Sequence, residues 1–189
     1  KNNVLDPLAR QEFPLFDIIG IQSHMHNGYW GSKRIWDLCN KFNGFGTPIH
    51  FTEISIVSGQ KLDGKWESTT KGEFEQAKQV KELYTLLFSN PNIGAITWMD
   101  FSGQGTWKGA PARLIRKDMT PKPAYLALNN LINNEWWTQD TLTVAEGGMI
   151  NMIGFFGDYS IHIVDNERTY EGKFELKKVQ DKPINIMLK

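Results

Sequence analysis

Three short runs rich in β-branched residues, each followed by a stretch with helical spacing, constrain this chain more than any other feature. Residues 17–24 form the first run, and its brevity and apolar character predict a buried strand with a polar end. From Ser32, read as an N-cap, Ile35, Leu38, Cys39 and Phe42 recur on one helical face, and Gly44 and Gly46 close the segment. Residues 48–56 form the second strand, and a polar loop spans 58–69. Thr70 and Glu73 then have capping-box spacing, opening a helix along Phe74, Ala77, Val80, Leu83, Tyr84, Leu87 and Phe88. Asn90-Pro91 stops it, and residues 93–101 read as the third strand. Thr120-Pro121, an N-cap followed by proline, predicts a last helix reaching about Asn133.

Strand and helix alternating three times predict a parallel sheet with covering helices. The arrangement fits part of a (β/α)8 barrel or of a doubly wound sheet. No Gly-x-Gly-x-x-Gly or P-loop pattern follows any strand, which weighs against nucleotide binding. Beyond Trp137 the pattern changes to short alternating runs at 141–144, 149–155, 159–164, 169–176 and 184–188. Gly147-Gly148, Gly157-Asp158 and Asp165-Asn166 mark the turns. Two domains are therefore expected, residues 1–138 as the α/β part and 139–189 as a small antiparallel β unit that leans on it.

Charge narrows the function classes. Lysine and arginine total 21, as do aspartate and glutamate, so nothing electrostatic favours nucleic acid or an acidic membrane as partner. Cys39 is the single cysteine and reads as a small buried hydrophobe; without zinc-type Cys/His spacing, no metal or other cofactor is expected. No run approaches the roughly 20 apolar residues that span a bilayer. The start lacks signal-peptide order, and opening on Lys1 it is read as the interior of a longer protein. Seven tryptophans, eleven phenylalanines and five tyrosines suit either a large aromatic core or flat platforms for sugar rings. Composition alone favours the core.

In a parallel barrel, polar side chains at the C-terminal strand ends face the active site. Strict alternation puts Gln22 and His24 on one face of the first strand, Ile49, Phe51 and Glu53 on one face of the second, and Trp98 and Asp100 on one face of the third. A carboxylate, a histidine and a tryptophan then meet at one mouth. Glu53 at the end of a bulky strand needs a partner for its charge, and His24 is the natural one. A strand-end glutamate by itself is more often a surface or ion-paired residue, and a lone histidine is weaker evidence still.

Four motifs in order resemble a known family: Ile-Gln-Ser-His24; Pro-Ile-His-Phe-Thr-Glu53-Ile-Ser; Ile-Thr-Trp98 with Trp107; and Arg116-Lys-Asp-Met-Thr-Pro-Lys-Pro-Ala-Tyr125. Together, over about residues 15–137, they look like the sixth to eighth units of glycoside hydrolase family 10. The resemblance implies the C-terminal part of a TIM (β/α)8 barrel in a secreted retaining endo-1,4-β-xylanase. Glu53 is then the nucleophile and His24 the residue that hydrogen-bonds and orients it. Gln22, Trp98 and Trp107 line the site for xylan or xylo-oligosaccharides. The family's proton donor follows the fourth strand, so it falls before Lys1 and the missing N-terminal half is required for activity. Asp100 is the nearest internal substitute and is not favoured. Ser55 departs from the pattern, because the family commonly has aspartate there. The alternative is a polysaccharide-binding protein that keeps the aromatic cleft without hydrolysis. The tail around Gly154-Phe155-Phe156-Gly-Asp-Tyr159 resembles the small β extension of some members, where Phe155, Phe156 and Tyr159 serve packing rather than sugar binding.

Overall fold

The computed structural model describes residues 15–102, 106–177 and 183–186, without the side chain of Trp107. The chain divides into two compact units, Lys1–Leu131 and Ile132–Lys189. In the first, β1 (Ile19–Met25), β2 (Ile49–Ile56) and β5 (Ile93–Trp98) form a parallel sheet in the order β1-β2-β5. Helices α1 (Ser32–Asn43) and α2 (Thr70–Phe88) connect consecutive strands, as parallel pairing requires. The sheet order matches the sequence order, so each crossover joins neighbours.

Burial alternates along β1. Ile19, Ile21, Ser23 and Met25 are buried, whereas Gly20 and Gln22 are exposed and His24 is half-buried. The buried set joins Ile49, Phe51, Ile54 and Ile56 of β2 with Ile35 and Cys39 of α1 and Val80, Leu83 and Leu87 of α2 as the apolar core. Each such side chain withdrawn from water contributes on the order of 1.5–3 kcal/mol, enough for this face to fix the register of the sheet. The opposite face keeps the polar residues.

Helix boundaries differ from the sequence reading in ways the caps explain. Gly31, not Ser32, is the N-cap of α1, and the Ser32 hydroxyl instead donates to Glu82. Thr69, not Thr70, caps α2, its Oγ1 accepting from the Gly72 N–H at 3.0 Å. The capping box from Thr70 to Glu73 therefore does not form. Glu73 is buried and takes two hydrogen bonds from Arg116. Helix α3 spans Pro123–Asn130 with Lys122 as N-cap, and widens into one π-type turn over Leu131–Glu135. Thr120 belongs to the preceding turn, where its N–H and hydroxyl both donate to Asp118.

Residues 58–69 are not a simple loop. They form an antiparallel hairpin of β3 (Gly59–Leu62) and β4 (Lys65–Ser68), turning on Asp63-Gly64 with φ of 44° and 80°. Two consecutive positive φ angles are what an Asp-Gly hairpin turn supplies. Behind the hairpin, Ser58 is fully buried; its Oγ donates to Pro111 O at 2.8 Å and accepts from Lys122 Nζ at 2.8 Å. Gly72 of α2 passes so close that a Cβ there would lie 2.1 Å from Ser58 O. Gln76 donates to Ile56 O at 2.7 Å and Ala112 O at 3.1 Å, so the end of β2 is anchored on two sides.

Among the described residues, the second unit contains one hairpin, β6 (Gly157–Asp165) and β7 (Arg168–Leu176), in continuous antiparallel register. Tyr159 stacks on Phe174 at 5.0 Å and donates its hydroxyl proton to Phe155 O at 2.6 Å. The expected strands at 141–144 and 149–155 are irregular in the structure; a turn closed by Ala145 and Met149 stands between them. Of the expected strand at 184–188, residues 184–186 are irregular and the remainder lies outside the described residues.

Candidate active site

The polar face of the parallel sheet is organised by a bulge in β2. Phe51 stands opposite Ile21, and the next paired residue, Glu53, stands opposite Gln22. Thr52 is the extra residue. Strict alternation would have put Glu53 on the face of Ile49 and Phe51, and the structure corrects that expectation. Both apolar residues are fully buried, whereas Glu53 shares the open face with Gln22 and His24. A bulge that re-aims one side chain in this way is a recurrent device near functional sites.

Once re-aimed, Glu53 is held at both carboxylate oxygens. Gln22 Nε2 donates to Oε1 at 2.9 Å, and His24 Nε2 lies 3.2 Å from Oε2. Its side chain remains 35% exposed while His24 is only 15% exposed, so the carboxylate is oriented yet reachable from solvent. Charge-assisted hydrogen bonds of this kind fix direction as well as charge. An anion gripped from two strands and open on one side is suited to attack an electrophilic carbon or to accept a proton.

A second set of contacts lies behind His24. Its Nδ1 is 2.9 Å from the hydroxyl of Ser55, and His26 Nε2 is 3.0 Å from the same oxygen. The two imidazoles lie 5.8 Å apart, and His26 meets Trp66 of β4 edge-on at 6.0 Å. Burial lowers the pKa of His26, His24 and Lys108 push the same way, and Asp100 opposes them. Ser55 entered the sequence reading only as a departure from a pattern; His26 and Trp66 did not enter it. His24-x-His26 and Glu53-x-Ser55 carried the missing signal, since alternate residues share a face.

The remaining sequence candidates sit apart from this set of hydrogen bonds. Trp98 ends β5 opposite Ile54, one ladder step beyond Glu53, and its indole N–H donates to Asp100 O at 3.2 Å. Asp100 keeps one buried carboxylate oxygen, Oδ2, without a hydrogen-bond partner among the described residues. Trp107 begins a short 3-10 turn, and its side chain lies outside the described residues.

Comparison with known proteins bears on the fold and the family. The chain is 24% identical over 147 residues to the anti-sigma-I factor RsgI6 of Acetivibrio thermocellus, covering 78% of this chain and 18% of that one. Its fold resembles xylanase 10B of Thermotoga petrophila, solved with xylobiose, at TM-score 0.54 and 24% identity over 65% of this chain and 37% of the other. Xylanase B of Clostridium stercorarium matches at TM-score 0.53 and 24% identity, covering 61% and 37%. The chain thus spans well under half the length of these relatives, and the structural likeness is one of fold, a sheet-and-helix unit derived from the TIM barrel. The family model described as glycosyl hydrolase family 10 matches residues 2–131, more than half of the sequence, and on that match the chain belongs to glycosyl hydrolase family 10.

Proposed function

We propose that this chain supplies the nucleophile half of a retaining glycosidase that cleaves internal β-1,4 linkages of xylan outside the cell. In this reading β1, β2 and β5 correspond to about the sixth to eighth strands of a (β/α)8 barrel, and residues 139–189 form an accessory β domain. The observation that carries the proposal is the carboxylate of Glu53, held at one oxygen by Gln22 and at the other by His24 from the adjacent parallel strand. Glu53 attacks the anomeric carbon and forms a glycosyl-enzyme ester, which water then hydrolyses. His24 and Gln22 keep the attacking oxygen directed, Trp98 lines the sugar cleft, and Trp107 is assigned to the same cleft by the family resemblance alone. The second carboxyl group, which gives a proton to the leaving oxygen and later takes one from water, comes from sequence preceding this chain in the complete protein.

A second reading is a polysaccharide-binding protein without turnover. It is favoured by the likeness to a relative whose name describes an anti-sigma factor rather than a hydrolase. Glu53→Gln in the full-length protein separates the two. The hydrolase reading predicts that xylan cleavage falls by several orders of magnitude while xylan binding persists. Cleavage at the original rate by the variant would remove Glu53 from the mechanism, and a wild-type protein that binds xylan without cleaving it would establish the second reading.

A further inference from the structure

His24 lies between two partners with opposite demands. Its Nε2 meets Glu53 Oε2 at 3.2 Å and its Nδ1 meets Ser55 Oγ at 2.9 Å. An ionised carboxylate only accepts, so Nε2 carries the proton that joins the two residues. In the neutral ring Nδ1 is then an acceptor, and the Ser55 hydroxyl must point its hydrogen there. That leaves the Ser55 oxygen with lone pairs. His26 Nε2, 3.0 Å away, completes it as a donor. Ser55 is fully buried, so its hydroxyl is oriented by these two rings, and Trp66 packs edge-on against the second one.

We propose that Ser55 and His26 are positioning residues: a one-way relay from His26 Nε2–H through the Ser55 hydroxyl holds His24 in the neutral Nε2–H form that donates to Glu53. The relay's effect on turnover rests on the nucleophile reading of Glu53, whereas the tautomer of His24 does not. A hydroxyl both gives and accepts, so it passes the direction of donation along without adding charge. Burial, the largest cause, and the neighbouring Lys108 lower the pKa of His26 against the pull of Asp100, which keeps the donor ring neutral more readily. Glu53 then faces a neutral donor and retains its full negative charge for attack.

Nitrogen NMR of the full-length protein with labelled histidine reads the relay directly. The expected wild-type result is a protonated Nε2 and an unprotonated Nδ1 on His24. Ser55→Ala removes the hydroxyl that donates to Nδ1: Nε2–H stays fixed by the carboxylate, the Nδ1 signal should lose its hydrogen-bond shift, and kcat should fall by roughly tenfold to a hundredfold with little change in KM. Ser55→Asp supplies an acceptor only. Both nitrogens of His24 should then carry protons, which the same spectra read directly. His26→Phe should move the Nδ1 signal in the same direction as Ser55→Ala, and His26→Gln, which still has an N–H to give, should restore the wild-type signal. A wild-type His24 protonated at Nδ1, or a Ser55→Ala protein with an unchanged Nδ1 signal or unchanged kcat, overturns the proposal. Should Glu53→Gln prove fully active, the nucleophile reading fails by itself, and the tautomer measurements still decide the relay.

Discussion

The amide of Gln22 donates to Glu53 Oε1 at 2.9 Å across a strand ladder from which Thr52 is looped out. That hydrogen bond exists because the bulge turns Glu53 away from the core face of Phe51. It is formed between a neutral donor and a charged acceptor, a class of contact contributing about 1.5–3 kcal/mol.

On the proposed function, Gln22→Ala in the full-length protein should therefore reduce kcat/KM for xylan by roughly tenfold to a hundredfold. Thermal unfolding should change little, because Gln22 is on the exposed side of β1. Steady-state hydrolysis with unchanged kcat/KM would contradict the positioning role of the amide.

The start of α2 offers a test of its cap. Thr69 Oγ1 takes the Gly72 N–H at 3.0 Å, and Thr70 is already the first residue of the helix. Thr69→Ala should cost about 1 kcal/mol of unfolding free energy, and Thr70→Ala much less. Urea midpoints measured for both variants check the order; a larger loss at Thr70 would restore the cap to that position.

Such one-residue shifts mark the limit of what the sequence made legible. The alternation of apolar runs and helical spacing was enough for the parallel sheet, since Ile35, Cys39, Val80, Leu83 and Leu87 do fall on buried faces. Gln22, His24 and Glu53 were individually readable as polar residues on the strands, but not as strand ends, because β1 runs on to Met25 and β2 to Ile56. The bulge at Thr52 was not, because period-two counting assumes a regular ladder and no side-chain pattern announces the extra residue. The hairpin at 59–68 was announced by Asp63-Gly64, but its strands are mostly polar and exposed, so they lack the apolar alternation that identifies a strand. In the tail, only 157–176 has two alternating apolar stripes in register; residues 141–155 lack a partner strand of that kind among the described residues.

Lys122 makes stability depend on pH in a defined direction. Its amine is buried, donates to Ser58 Oγ and Pro111 O, and has a pKa lowered by that burial from 10.5 to about 8. Between those values the unfolded chain binds more protons than the folded one, so this group's contribution rises with pH through the window and is lost as pH falls through about 8. Lys122→Met lacks the group. Urea midpoints at about pH 7.5 and about pH 10 should show the wild type gaining relative to the variant at the higher pH. An equal change in both proteins would contradict the depressed pKa.

The proposed role of Glu53 as nucleophile is tested most directly by trapping the intermediate. The full-length protein would be incubated with a 2-deoxy-2-fluoro xylobioside bearing a good leaving group, then digested and mapped by mass spectrometry. A fluoro-xylobiosyl ester on the peptide containing Glu53 is the predicted result. Label on a different carboxylate, or xylan hydrolysis with inversion and no adduct, would contradict it.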